Sequence, residues 1–251
     1  MFLKEYIITL LSYLKNPRKR KLIRHCLSFF SKKGLEIGGP SSFFSLKGYC
    51  PIYLFAKSID GVNYNNQTIW EGNIQEGYTY RFYKKTGYQY INEATDIKSC
   101  KSNIYDFVLS CHSLEHVANP IKALNEMNRV LKKGGELILV LPDRRFTFDY
   151  NRAYTTIDHL KEDFEKNTSE DDTTHFNETI RLHKHEAGSD PSAIEAFNTR
   201  VLENITYRCV HHHVFSFELV AQMFELTGFD LIFQQEAPPF HMVSIAKKKV
   251  T

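Results

Sequence analysis

The chain has 251 residues, 42% hydrophobic and 24% charged, which suits one large folded domain or a core with an insertion and excludes global disorder. No apolar run approaches the roughly 20 residues of a membrane-spanning helix, and a net charge of +3 does not point to nucleic acid as a partner. Cys26, Cys50, Cys100, Cys111 and Cys209 are odd in number, scattered and never spaced as CxxC, which fits a reducing cytoplasm rather than a disulfide framework or a thiolate metal site.

Residues 1–30 begin with an apolar stretch from Met1 to Leu14, followed by Lys15, Arg18, Lys19, Arg20, Lys21 and Arg24. A secretory signal would carry its charge ahead of the apolar run. Two readings remain: a helix resting on the anionic inner face of a membrane, or a helix packed on the domain with a solvated basic end. From Gly34 strands and helices alternate. Gly34-Leu-Glu-Ile-Gly38 predicts a first strand, and residues 52–55 with the approach to Asp60 predict a second. Residues 61–90 hold a dense aromatic set (Tyr64, Trp70, Tyr78, Tyr80, Phe82, Tyr83, Tyr88, Tyr90), compatible with a hairpin, a lid or an insertion on the core. Residues 104–110 predict a buried strand. Asn119-Pro120 opens a helix through Lys133, with Ile121, Leu124, Met127, Val130 and Leu131 at helical spacing. Gly134-Gly135 stops it, and residues 136–142 form the next buried strand. This alternation predicts an α/β fold whose parallel sheet is covered on both faces.

Residues 144–210 break the rhythm. They are polar, rich in acids and histidine, and hold helix-like stretches around 157–167 and 192–203. They read as an insertion over the ligand edge of the sheet, dividing a core made of 31–143 and 211–251. A helix at 217–226 stopped by Gly228 precedes two apolar runs, 229–233 and 241–246. So short a loop between them, with Pro238-Pro239, makes these closing strands antiparallel.

Leu35-Glu-Ile-Gly-Gly-Pro40 stands where an α/β fold binds its nucleotide, at the carboxyl end of the first strand. Pro40, Ser41 and the absent third glycine argue against a dinucleotide-binding oxidoreductase. Glu36 either suits a cationic ligand or caps the turn. Asp60 is either an acceptor for ribose hydroxyls or a loop acid.

Together, Gly34-Leu-Glu-Ile-Gly-Gly-Pro-Ser41, Glu93-Ala-Thr-Asp-Ile97, Tyr105-Asp-Phe-Val-Leu-Ser-Cys-His-Ser-Leu-Glu-His-Val-Ala-Asn-Pro120 and Arg129-Val-Leu-Lys-Lys-Gly-Gly-Glu-Leu-Ile-Leu-Val-Leu-Pro-Asp143 resemble the class I S-adenosylmethionine-dependent methyltransferases. The first segment departs from that family's GxGxG. The resemblance spans 34–143 and resumes around 206–249. It implies a Rossmann-like seven-stranded sheet with an antiparallel last strand, here with an inserted helical lid over the acceptor, and S-adenosylmethionine as cofactor. It also implies Glu36 and Gly38, with the adjoining Gly39 and Pro40, at the cofactor's amino-acid end. Asp60 would then meet the ribose, Asp96 and Ile97 the adenine, and Cys111 and His112 the sulfonium. Residues 142–152 and 204–215 look like a bacterial subgroup often encoded with glycan and cell-envelope genes. The implied acceptor is a sugar hydroxyl of a surface glycan or of its lipid-linked or nucleotide-linked precursor. A methyltransferase acting on another small molecule or on protein, and a non-catalytic scaffold that binds S-adenosylmethionine, remain as rivals, since a fold does not fix a substrate.

A sugar hydroxyl is weakly acidic, so a general base or an acidifying metal is useful. Of the eleven histidines only His25 precedes His112. His112, Glu115 and His116 would share one face if they open a helix. They then serve as ligands of a divalent ion, or His112 or His116 acts as a metal-free base. The run is similar to the ExxEH metal motif of small-RNA terminal 2′-O-methyltransferases, with His112 in place of the first glutamate. His211 and His213, pointing the same way in an extended run with His212 opposite, would complete the set. An ordering role for the Glu115-His116 pair is the structural alternative. Arg145 is a candidate to hold a phosphate or carboxylate on the acceptor, or else pairs with Asp149 as scaffold. His175, His183 and His185 among Asp171, Asp172, Glu178 and Glu186 read as a second polar cluster or, preferably, a solvated acidic surface.

Overall fold

Burial is nearly continuous along the central strands, so both faces of the sheet are covered. The computed structural model describes residues 3–185 and 190–250; Met1, Phe2 and Glu186 lie outside them. Helices α1 (Leu3–Lys15) and α2 (Pro17–Cys26) precede β1 (Lys33–Ile37). Then come α3 (Ile52–Phe55), β2 (Ser58–Asn63), a ribbon of β3 (Gln67–Thr68) and β4 (Gly72–Asn73), and a hairpin of β5 (Gly77–Phe82) and β6 (Lys85–Ile91). Strand β7 (Tyr105–Cys111), α4 (Pro120–Val130) and β8 (Leu131–Pro142) follow. Helices α5 (Ile157–Glu165), α6 (Phe176–Leu182), α7 (Pro191–Leu202) and α8 (Asn204–Tyr207) fill the interval before α9 (Phe217–Leu226), β9 (Phe229–Ala237) and β10 (His241–Lys248).

The main sheet runs β5-β6-β2-β1-β7-β8-β10-β9. Strands β6, β2, β1, β7 and β8 are mutually parallel, and β10 lies antiparallel to both β8 and β9. The expected seven strands with an antiparallel last one are present, and β5 adds an eighth at the edge, antiparallel to β6. On β8, Leu137, Leu139 and Leu141 pack with Val108, Leu124 and Phe224 on one face. Ile138 and Val140 pack with Phe107, Leu109, Phe29 and Phe55 on the other. A strand covered on both faces must be apolar at every position, which is why these segments read as unbroken apolar runs. Each such side chain contributes about 1.5–3 kcal/mol by burial.

Two boundaries differ from expectation. Residues 52–55 form one buried helical turn and the second strand starts at Ser58. A short apolar run has the same pattern in a buried helix and a buried strand. Helix α4 has its expected cap, the Asn119 side chain accepting from the Lys122 N–H at 3.1 Å. It ends at Val130 rather than Lys133, because Leu131 already pairs with Tyr105 of β7. The aromatic stretch splits between the β3–β4 ribbon and the β5–β6 hairpin, which buries Tyr80 and Phe82 and leaves Tyr78 exposed.

At the N-terminus, α2 buries Leu22 and Cys26 against the core, with the Lys21 ammonium 4.0 Å from the Phe233 ring. Helix α1 turns Ile7, Leu11 and Leu14 to solvent. Among the described residues no helix is long and apolar enough to cross a membrane. Within the insertion, α5 places Leu160 in the main core, whereas Phe176, Val201 and Val210 form a small cluster of their own.

Candidate active site

Strand β1 has β2 on one side and β7 on the other, so the chain leaves it in opposite directions and a crevice opens beyond the carboxyl ends of the strands. A cleft of about 1420 Å³ occupies this position, walled by the ends of β1, β2, β6 and β7 and by the insertion. Single small ligands take about 300–1,000 Å³, so this volume admits a cofactor and an acceptor together.

The first turn is braced from behind. Glu36 is fully buried; its Oε2 accepts from the Tyr53 and Tyr80 hydroxyls, each at 2.6 Å, and its Oε1 from the Ser41 N–H at 3.0 Å. Desolvation pushes its carboxyl up to about 7, against the pull of these donors. Glu36 therefore shapes the turn and does not line the cleft. Gly38 and Pro40 do line it, while Gly39 stands against the Glu36 side chain. Gly38 has φ +71°, and a Cβ there would lie 2.2 Å from Ser113 Oγ. Only glycine leaves this cradle open.

Asp60 lies within β2, outside the cleft, accepting from the Tyr88 N–H at 3.0 Å and the Tyr105 hydroxyl at 2.9 Å beside the Lys33 ammonium. Asn63, the last residue of β2, lines the cleft instead. Asp96 is exposed, and the Ile97 N–H donates to Glu126 at 2.8 Å, so neither reaches the cleft; Asn92, Glu93 and Ala94, just past β6, do. The offset of Asp60 follows from β2, which runs on to Asn63, and that of Asp96 from β6, which ends at Ile91. Cys111 and His112 line the cleft as expected.

His112 has φ +52°, so it cannot open a helix, and the 3-10 turn covers only Leu114–His116. Its Nε2 lies 2.8 Å from His241 Nδ1, and desolvation lowers its pKa to about 3. The face shared with Glu115 and His116 is therefore not formed, although His112 Nδ1 stands 3.6 Å from Glu115 Oε1. A different trio converges: Glu115, His116 and His211, with one atom of each within 4.8 Å of the others. The His116 Nδ1 faces the Val210 carbonyl at 3.1 Å and the His211 Nδ1 faces Asp149 Oδ2 at 2.6 Å. Facing an acceptor, each Nδ1 carries the proton and leaves its Nε2 lone pair free. Glu115 is 1% exposed, and neither carboxylate oxygen has a hydrogen-bond partner among the described residues. Burial raises its carboxyl to about 7 and holds His116 well below its ordinary value. All three side chains line the cleft.

His213 does not join them. The stretch 208–216 is not paired as a strand, and His213 turns to the Ala118 carbonyl at 3.1 Å and to the rings of His159 and His175. Arg145 lines the cleft but pairs with Asp143 and Glu236; Asp149 is taken by Arg152 and His211. Sequence reasoning did not single out Arg208, whose left-handed backbone aims its guanidinium at Glu93 and Glu170. Trp70, 5.5 Å from the His116 ring, and Phe148, 4.7 Å from that of His211, add aromatic faces, and Lys184 and Arg200 add positive charge to the outer wall.

A family model described as a methyltransferase domain matches residues 41–234. A Listeria monocytogenes protein described as a candidate S-adenosylmethionine-dependent methyltransferase superposes with a TM-score of 0.52 at 16% identity, covering 94% of this chain and 100% of its own. An S-adenosylmethionine-dependent methyltransferase of Methanosarcina mazei gives 0.50 at 17% identity, covering 91% and 98%. These two likenesses concern the fold. An uncharacterised protein of Methanocaldococcus jannaschii is 50% identical over 44 residues, so the match spans 18% of this chain and 19% of that relative.

Proposed function

From the premise that this chain belongs to the class I S-adenosylmethionine-dependent methyltransferases, we propose that it methylates a sugar hydroxyl of a bacterial surface glycan or of its lipid-linked or nucleotide-linked precursor. One observation carries the hydroxyl chemistry: Glu115 keeps two buried, unpartnered carboxylate oxygens at the cleft, beside two histidines with oriented lone pairs. S-adenosylmethionine supplies an electrophilic methyl on a sulfonium, whose C–S electron pair leaves with sulfur as the new O–CH₃ bond forms. The chain's own task is to place the hydroxyl in line and take its proton. A carboxylate titrating near 7 suits that task at cellular pH. Gly38 and Asn63 bound the cofactor side of the cleft, and Trp70 and Phe148 offer rings for the apolar face of a sugar.

The trio also fits a divalent ion, since two imidazoles and one carboxylate make a facial set with open positions. Glu115, His116 and His211 would hold it, and it would acidify the bound hydroxyl. The cationic outer wall favours a phosphate-bearing acceptor. The exposed apolar residues of α1, followed by a basic segment, support a place on the anionic inner face of the membrane, where lipid-linked precursors are assembled.

The test is incubation with S-adenosylmethionine and a panel of nucleotide sugars and polyprenyl-diphosphate sugars, with and without chelator. Mass spectrometry should find one added methyl on oxygen with equimolar S-adenosylhomocysteine. Methyl on nitrogen or on protein would replace the sugar reading. Binding of S-adenosylhomocysteine without turnover, and no loss of glycan methylation in a deletion strain, would support the scaffold.

A further inference from the structure

Outside the cleft, three histidines from three segments meet. His159 lies on α5, His175 caps the start of α6 and His213 belongs to the stretch 208–216, and one nitrogen of each lies within 4.8 Å of the other two. His159 Nε2 is 3.1 Å from His175 Nε2 and 3.4 Å from Asp163 Oδ2, whereas His213 Nε2 faces the Ala118 carbonyl at 3.1 Å, which leaves its Nδ1 as the donor. Ligands placed 2.0–2.1 Å from a tetrahedral zinc ion are about 3.3 Å apart, so the two His159 spacings match two of its edges.

The protons available do not satisfy the cluster by themselves. Among the described residues Asp163 Oδ2 makes no hydrogen bond, and neither does His213 Nδ1, although both are buried. Unpartnered buried polar atoms are uncommon and call for an explanation such as an ion. The surrounding groups are placed as outer partners of metal-bound residues. Asp163 Oδ1 accepts from the Thr168 hydroxyl at 3.1 Å, and His175 Nδ1 stands 3.6 Å from Glu178.

We propose that His159, His175 and His213 hold a divalent transition ion of the zinc type in a structural site, with Asp163 beside His159 supplying the fourth donor. Three imidazoles and one carboxylate complete a four-coordinate shell with no open position for substrate. The ion ties α5, the start of α6 and the 208–216 stretch to one another. That stretch also carries His211, so the tie steadies the cleft wall without entering the reaction. The inference does not depend on the acceptor or on methyl transfer.

The experiment uses metal-free full-length protein carrying Glu115→Gln and His116→Ala, which removes the cleft trio as a competing site. Zn²⁺ titration against a chromophoric chelator should find one ion per chain, Co²⁺ should give the intense visible bands of four-coordination, and Zn²⁺ at 100 times its Kd should raise Tm by about 5–10 °C. Adding His175→Ala or Asp163→Asn should weaken binding at least tenfold. A folded parent variant that binds no Zn²⁺, or binding that neither substitution weakens, overturns the proposal. If His175→Ala does not fold, Asp163→Asn, which keeps the side-chain shape, decides.

Discussion

The two histidine clusters use the same residue types and share the stretch 208–216, yet they are built for different ends. In the cleft, His116 and His211 each give one nitrogen to a protein acceptor, and a carboxylate with no hydrogen-bond partner among the described residues completes a trio open to a large cavity. Beside it, three imidazoles from α5, the start of α6 and the stretch 208–216 meet, with Asp163 next to His159. The count of converging donors, and the space left beside them, separates an open reactive centre from a closed tie. The open one is costly: a carboxyl held near pH 7 in the folded state loses its proton near 4.5 once unfolded.

If the clusters were equivalent, disabling either would have the same effect; two outcomes distinguish them, and two more test the rest of the cleft. The largest is on catalysis. Glu115→Gln should lower methyl transfer by about 10²–10⁴-fold while S-adenosylhomocysteine binding stays within a few-fold. Asp163→Asn should instead lower Tm and leave saturated turnover nearly intact.

The second outcome is on stability against pH. Between about 4.5 and 7 the unfolded chain releases the Glu115 proton while the folded chain keeps it, so stability falls through this window and the cost is complete above it. In metal-free protein, Glu115→Gln should therefore raise unfolding free energy by on the order of 3 kcal/mol at pH 8 and change it little at pH 4.5. Denaturant titrations at the two pH values read the difference. Glu36 is raised in the same way but is present in both proteins, so it cancels.

The third concerns the cradle. Gly38→Ala puts a Cβ into Ser113 at a left-handed backbone position and should cost about 1–2 kcal/mol of stability along with a loss of cofactor affinity. Trp70→Ala should have the smallest effect, raising the acceptor KM by up to about tenfold with kcat unchanged.

Much of the frame was readable from the chain. Unbroken apolar runs marked β7 and β8, Asn119-Pro120 marked the start of α4, and the short loop through Pro238-Pro239 fixed the antiparallel ending. The site was less legible, because its residues are set by backbone detail. One helical turn at 52–55 shifts the second strand, so Asn63 rather than Asp60 reaches the cleft. A left-handed residue at 112 removes His112 from the face it would share with Glu115. The alternation of an extended run would have paired His211 with His213, but 208–216 has no strand partner to impose it, and the two rings diverge. The pairing of Arg145 with Glu236 joins residues far apart in sequence, and local spacing carries no sign of it.

The most direct measurement is a calorimetric titration of S-adenosylhomocysteine into wild-type protein, Asn63→Ala and Asp60→Asn, each checked for its fold. The account predicts binding by wild type, about tenfold weaker binding by Asn63→Ala, and no change in Asp60→Asn. No binding by folded wild type, or a loss confined to Asp60→Asn, would contradict the assignment of this cleft to the cofactor.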